Sequence, residues 1–169
     1  MDHSRLKNKL IAKIIARFPF LSGFYTVSLE PEGEIPWTPV KKSLCDSTVS
    51  IVTTSGVHDK KQKPFDMKDP DGDPSFRVID AATPLGDLVI THDYYDHSDA
   101  DKDINIVFPL ERFREFETEG IIGKVADRHY GLMGHILGRH IETLISKTAP
   151  EIARQLKADG VDVVLLTPG

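Results

Sequence analysis

The stretch that most limits the possible folds is Val161-Asp162-Val163-Val164-Leu165-Leu166, an almost uninterrupted apolar run entered directly from a helix-forming segment. Thr148 with Pro150 and Glu151 opens that helix, Ile152 and Leu156 form its inner face, and Gly160 closes it. A strand without period-two alternation is apolar on both faces, which suits the centre of a parallel sheet. Thr48-Val49-Ser50-Ile51-Val52-Thr53 is a second such strand, β-branched almost throughout. Strands of this kind interleaved with helices predict an α/β fold: a largely parallel sheet sandwiched by helices, three-layered and Rossmann-like. In such sheets the chain leaves a strand's carboxyl end through a reactive loop and enters a covering helix. Here Thr167-Pro168-Gly169 follows the strand, so the expectation is one α/β domain over residues 1–169, incomplete at its C-terminus and part of a longer subunit.

The remaining elements follow from periodicity and punctuation. Residues Arg5 to Arg17 put Leu6, Leu10, Ile14 and Ile15 on one face with lysines between, behind Ser4 as N-cap and ahead of Pro19, so an amphipathic opening helix is expected. Phe20 to Asp46 reads as an extended connector with one short strand near Phe24 to Leu29, and Lys60 to Pro74 as a solvated loop. Phe76 to Ile79, Asp87 to Thr91 and Ile104 to Phe108 are further strand candidates. Pro109 and Glu111 to Phe116 open a helix that Gly120 closes. Leu132, Met133, Ile136, Leu137, Ile141, Leu144 and Ile145 recur at helical spacing and predict the longest helix.

Charge and cysteine content narrow the functional classes. A net charge of -5 gives no field that would gather phosphates, so nucleic acid is not an expected partner. One cysteine, Cys45, cannot form an internal disulfide, which fits a reducing compartment and a cytoplasmic location. No run approaches the ~18 apolar residues of a membrane span, and there is no signal peptide.

Two loops carry residues able to do chemistry. Thr53-Thr54-Ser55-Gly56-Val57-His58 offers hydroxyls, amides and an imidazole at a strand's carboxyl end, where an anion such as a carboxylate could be held; the alternative is a tight turn in which Gly56 supplies positive φ. His92 to Asp103 packs two imidazoles and five carboxylates together. His92, Asp93, His97 and Asp99 could ligate zinc, manganese or iron, but the spacing matches no familiar site and an EF-hand register fails at Ile104 and Leu110. A solvated acidic loop whose aspartates cap amides is the preferred reading, and His92 or His97 as a metal-free proton-transfer group is a third. His129, His135 and His140 are expected in core or surface roles.

Several segments together resemble one family: Ile35-Pro36-Trp37-Thr38-Pro39, Val52 to His58, Gly72-Asp73-Pro74-Ser75-Phe76-Arg77-Val78-Ile79, His92 to Asp103 running into Ile104-Asn105-Ile106-Val107-Phe108-Pro109-Leu110, and Gly120-Ile121-Ile122-Gly123. They are similar to the selenoprotein B subunits of the glycine, sarcosine, betaine and D-proline reductases, over most of the chain from about Pro36 onward. The resemblance implies that the strand Val161 to Leu166 leads into a selenocysteine or cysteine just after Gly169. It implies reductive C–N bond cleavage in a small amino-acid substrate, with a selenolate as nucleophile and a pyruvoyl group on a partner subunit activating the amine. Other reductase subunits are the expected partners, in an oligomeric assembly, and this chain itself carries no cofactor. On that reading Thr53, Thr54, Ser55, Gly56, Thr167 and Gly169 bind substrate, while His58, His92 and His97 serve catalysis. The competing functions are a metal-dependent hydrolase or lyase built on His92 to Asp103, and a noncatalytic binding subunit.

Overall fold

The structure, a computed structural model, describes residues 3–18 and 38–169. The strand expected near Phe24 to Leu29 and the residues around Trp37 lie outside the described residues. The elements are α1 (His3–Arg17), β1 (Thr48–Thr53), β2 (Val57–Asp59), β3 (Phe76–Asp80), β4 (Leu88–Ile90), α2 (Leu110–Thr118), β5 (Lys124–Val125), β6 (Arg128–Leu132), α3 (Arg139–Thr143), α4 (Ala149–Ala158) and β7 (Val163–Thr167).

The main sheet is mostly parallel, as its apolar strands require. β1 pairs in parallel with β5, β6 and β7, and β3 adds to β6 antiparallel; β2 and β4 form a separate antiparallel pair. Val49 pairs with both Val125 and Val163, and Thr53 with both Gly131 and Thr167, so β5 and β6 share one edge of β1 and β7 takes the other. β1 is therefore the strand buried on all sides. Between β5 and β6 the ladder breaks, and side chains fill the gap: Ser50 Oγ donates to the Arg128 carbonyl, and His129 Nδ1 accepts the Ile51 amide at 3.0 Å. Without that imidazole a buried strand amide would lack an acceptor.

Side-chain alternation on β1 and β7 separates two cores. Val49, Ile51, Val163 and Leu165 face Phe108, Leu110 and Phe113, so α2 covers one face. Val52, with Tyr130 and Leu132, faces Ile152, Leu144 and Leu156, so α4 covers the other. The Thr48–Thr53 strand, the helix closed by Gly120 and the helix closed by Gly160 match the sequence expectation, with Gly120 and Gly160 both at positive φ.

Three expectations are corrected. Ile104 to Phe108 is not a strand: Ile104–Ile106 forms a single 3-10 turn, because the Asp103 carboxylate accepts the Asn105 amide and caps it. Leu132 to Ile145 is not one helix, since Leu132 ends β6 and helix begins only at Arg139. Three glycines explain this: a Cβ at Gly131 would overlap the Val57 carbonyl, one at Gly134 would lie 2.8 Å from the Thr54 oxygen, and Gly138 sits at φ 50. From Arg139 the helix instead runs without a break through a π turn at Leu144–Thr148 into α4. β7 is not central, because among the described residues it pairs with β1 alone. The opening helix stands where expected, as α1, and turns its apolar stripe outward, leaving Leu6 58% and Leu10 59% exposed and burying Ala12.

Candidate functional site

β1 and β7 lie side by side and end together, and this brings two segments far apart in sequence into contact. The crossover from β1 to β5 carries α2 on one face, whereas the crossover from β6 to β7 carries α4 on the opposite face. Loops leaving adjacent strands toward opposite faces open a crevice at the strands' carboxyl ends, the place where open α/β sheets bind ligands. Ser55, Gly56, Pro168 and Gly169 stand there.

Hydroxyls fix this junction. Thr53 Oγ1 donates to Ser55 Oγ at 2.9 Å, and Ser55 Oγ donates in turn to the Pro168 carbonyl at 2.9 Å. Gly169 packs so closely that a Cβ on it would lie 2.7 Å from Ser55 Cα. Thr167 Oγ1 donates to the Val107 carbonyl, anchoring β7 to the loop ahead of α2. The backbone amides of the loop are all engaged internally: Thr54 to the Thr167 carbonyl, Ser55 to Thr53 Oγ1, and Gly56 to the Leu132 carbonyl. These amides knit β1 to β7 and β6, and the turn at Gly56 takes the positive φ of the alternative reading of this loop. What remains open to a ligand is the exposed Thr54 side chain and the Gly169 backbone.

The segment Thr91 to His97 forms the other wall. Gly56 adopts φ 75, and a Cβ there would come within 2.5 Å of the Thr91 carbonyl, so only glycine lets the two loops meet. The Thr91 amide donates to the Gly56 carbonyl, and Tyr95 OH donates to the Ser55 carbonyl at 3.1 Å. Burial pushes the Tyr95 phenol up to about 12, so it stays a donor. His92 is buried beside Tyr95, with ring centroids 4.8 Å apart, and its Nδ1 accepts the Tyr94 amide, which puts the proton on Nε2. Burial, together with the nearby His135 and His97, lowers its pKa to about 4. At neutral pH His92 therefore offers a hydrogen bond from Nε2–H and is not an imidazolium.

The other candidates are placed differently. His58 lies in β2 with Nδ1 donating to the Asp59 carbonyl and Nε2 accepting from Thr91 Oγ1, both at 2.8 Å, and burial lowers its pKa. Both nitrogens are committed, so His58 acts on the crevice only by holding Thr91. His97 is half-buried, its Nδ1 donating to Asp101 Oδ2 at 2.9 Å. His97, beside Tyr95, also lines with Asp101, Lys102, Leu88, Ile90 and Ile104 a cleft of 640 Å³. The four alternative metal donors do not converge. Asp93 is paired with Arg5 and Lys9, Asp99 with Lys102 and His97 with Asp101, and among the described residues no three His, Cys, Asp or Glu side chains could hold a metal ion. Tyr95, Thr91 and the Arg5 pairing were not foreseen. The usable signal was Tyr94-Tyr95 within an acidic run, since adjacent aromatics in a polar loop mark a packed loop.

Comparison with known proteins adds the family. The model of the glycine/sarcosine/betaine reductase selenoprotein B family matches residues 10–169. A D-proline reductase subunit gamma of Acetoanaerobium sticklandii is 46% identical over 133 residues, 79% of this chain and 53% of that protein. A glycine reductase complex component B subunit gamma of Carboxydothermus hydrogenoformans is 31% identical over 146 residues, 79% of this chain and 30% of its own length. A betaine reductase complex component B subunit beta of Peptoclostridium acidaminophilum is 32% identical over 140 residues, 75% and 29% of the two chains. The chain spans about half the length of the first and under a third of the other two. No solved structure matches.

Proposed function

Because the chain belongs to the glycine/sarcosine/betaine reductase selenoprotein B family, we propose that residues 1–169 are the N-terminal, substrate-binding domain of a longer reductase subunit that cleaves the C–N bond of a small amino acid or betaine. The observation that carries this reading is the packing of Gly169 on Ser55, with Ser55 Oγ on the Pro168 carbonyl, at the crevice between β1 and β7. A residue following Gly169 stands within ~3.8 Å of its Cα. A selenocysteine or cysteine at that position would supply a nucleophile ionised near neutral pH, and a pyruvoyl carbonyl on a partner subunit would make the nitrogen a better leaving group. Overall one C–N bond breaks and one C–H bond forms: nitrogen leaves with the bonding pair and takes one proton, carbon takes two electrons and the other proton, and a dithiol supplies both electrons and both protons and becomes a disulfide.

This chain's own residues bind and orient. Ser55, held by Thr53, fixes the exit of β7; Thr54 and Thr167 border the substrate; and His58 holds Thr91 against Gly56. His92 Nε2–H donates to the substrate, and His97, with Nδ1 on Asp101, is left to move a proton to the departing nitrogen through Nε2. The fold of the whole is three-layered and Rossmann-like, a reading supported by the placement of α2 and α4 on opposite faces of the sheet. Other reductase subunits are the partners, as the relatives' names support, and the outward stripe of α1 and the edge of β7, unpaired among the described residues, leave surface for them. The single exposed thiol, Cys45, fits a cytoplasmic location.

The test begins with the reading frame, which should continue past Gly169 with a UGA or cysteine codon. The full subunit, expressed with its partners, should oxidise a dithiol in proportion to the C–N bonds cleaved in D-proline, glycine, sarcosine or betaine, whereas residues 1–169 alone should not. Turnover by residues 1–169 alone, or a frame with neither selenocysteine nor cysteine after Gly169, overturns the reading.

A further inference from the structure

The wall of the crevice is pinned from outside by a helix that begins the chain. Asp93 lies between His92, which packs against Gly56, and Tyr95, which bonds the Ser55 carbonyl. Its side chain is 1% exposed, and its carboxylate is held bidentately from α1: Arg5 Nε donates to Oδ2 at 2.6 Å and Arg5 Nη2 to Oδ1 at 3.2 Å. Lys9 Nζ stands 3.5 Å from Oδ1. Among the described residues these are the only partners of that carboxylate, and both come from 84 or more positions away in sequence.

A buried carboxylate is tolerable only while paired. Burial raises the Asp93 pKa, and the hydrogen bonds and charges of Arg5 and Lys9 more than offset that, so the group stays ionised. Deprived of Arg5, the carboxylate must reach water, and the segment that carries it must move. Among the described residues that segment is anchored to Ser55 and Gly56 by the Tyr95 hydroxyl, the Thr91 amide and the His92 packing. The pairing also explains the orientation of α1: its cationic face goes inward to Asp93 and Asp96, and its apolar stripe outward.

We propose that Asp93, clamped by Arg5 and Lys9, is a positioning residue for the crevice, holding His92 and Tyr95 against the Ser55–Gly56 end of β1 so that α1 is a working part of the site. The assignment rests on the reductase reading for its kinetic consequence, but not for its structural one. Two readouts on the full chain keep them apart. Hydrogen exchange of the 91–98 amides tests the clamp directly. Arg5→Gln, which strands the carboxylate, and Asp93→Asn should each raise exchange there about tenfold while leaving β1 and β6 amides unchanged. Lys9→Gln should do less, and Arg5→Lys should restore part of the protection.

In the assembled reductase the same variants should raise KM for the amino-acid substrate by about tenfold with kcat changed far less, the split expected when the His92–Tyr95 wall loosens while His97 keeps its bond to Asp101. Unchanged exchange at 91–98, or increased exchange everywhere, removes the clamp. Increased local exchange with an unaltered KM removes its role in positioning. An assembly whose unsubstituted form reduces no such substrate defeats the reductase reading, and the exchange result still decides the clamp.

Discussion

Two buried imidazoles set how this molecule responds to acid. His129 is fully buried on β6, with Nδ1 accepting from Ile51, Nε2–H meeting no hydrogen-bond partner among the described residues, and Phe108 edge-on to its ring. Burial, assisted by Arg114, lowers its pKa to about 4, and His92 is lowered to about 4 as well. Because the folded pKa lies below the unfolded one, the unfolded chain binds more protons as pH falls. The contribution is complete above about pH 6.5 and is lost progressively toward pH 4, at up to about 3 kcal/mol per imidazole. Urea midpoints measured across that window should fall with pH. The slope should flatten in His129→Asn, whose Oδ1 takes the place of Nδ1 as acceptor for the Ile51 amide and does not titrate.

At the scale of elements, the helix from Arg139 to Ala158 shows how a break signal can be absorbed. Pro150 has no amide to offer the Ser146 carbonyl and its ring crowds that carbonyl, which would ordinarily end or kink a helix. The chain instead widens into a π turn over Leu144–Thr148 and continues. Thr148 marks the transition, and its Oγ1 donates to the Pro74 carbonyl at 2.7 Å, tying the long 60–75 loop to the helix. Thr148→Val keeps the shape and removes the donor, leaving a half-enclosed carbonyl unsatisfied. It should cost about 1–2 kcal/mol by urea denaturation and speed proteolytic cleavage in the 60–75 loop. Equal midpoints would mean that water replaces the bond at no cost. Helix α1 teaches the opposite lesson: its apolar period is real, yet one bidentate pair to a buried aspartate outweighs the stripe in deciding which face turns inward.

The whole molecule has an asymmetric sheet. Among the described residues β3 pairs with β6 alone and β7 with β1 alone, but Gln62 Nε2 donates to the Val78 carbonyl of β3, while β7 leaves Leu166 72% exposed. Unpaired apolar edges recruit other strands. Residues 1–169 on their own should therefore self-associate, with sedimentation showing a concentration-dependent mass. Leu166→Lys, which puts a charge on that face without touching the β1 pairing, should shift the protein toward monomer. A monomer at every concentration would remove the edge as an assembly surface.

The sequence by itself determined the elements whose signals are local. The β-branched run Thr48 to Thr53, the glycine-closed helices and the strand–loop–Gly56 motif depend on side-chain shape and backbone preference, and each stands where those preferences put it. Family membership was legible for a related reason: it rests on short ordered segments such as Val52 to His58 and Gly72 to Ile79, whose chemistry survives reading one residue at a time. Only the tertiary structure decided the rest. It broke the periodic run Leu132 to Ile145 with Gly131, Gly134 and Gly138, because backbone carbonyls of other segments occupy the space of a side chain at the first two and the third stands at positive φ against the Asp71 carboxylate. It gave the amides of the Ser55 loop to β6 and β7 and left hydroxyls to fix the junction. It also carried Asp93 out of a candidate metal cluster and into the grip of Arg5, since a carboxylate's partner is chosen by burial and three-dimensional proximity, and neither is written in its neighbours along the chain.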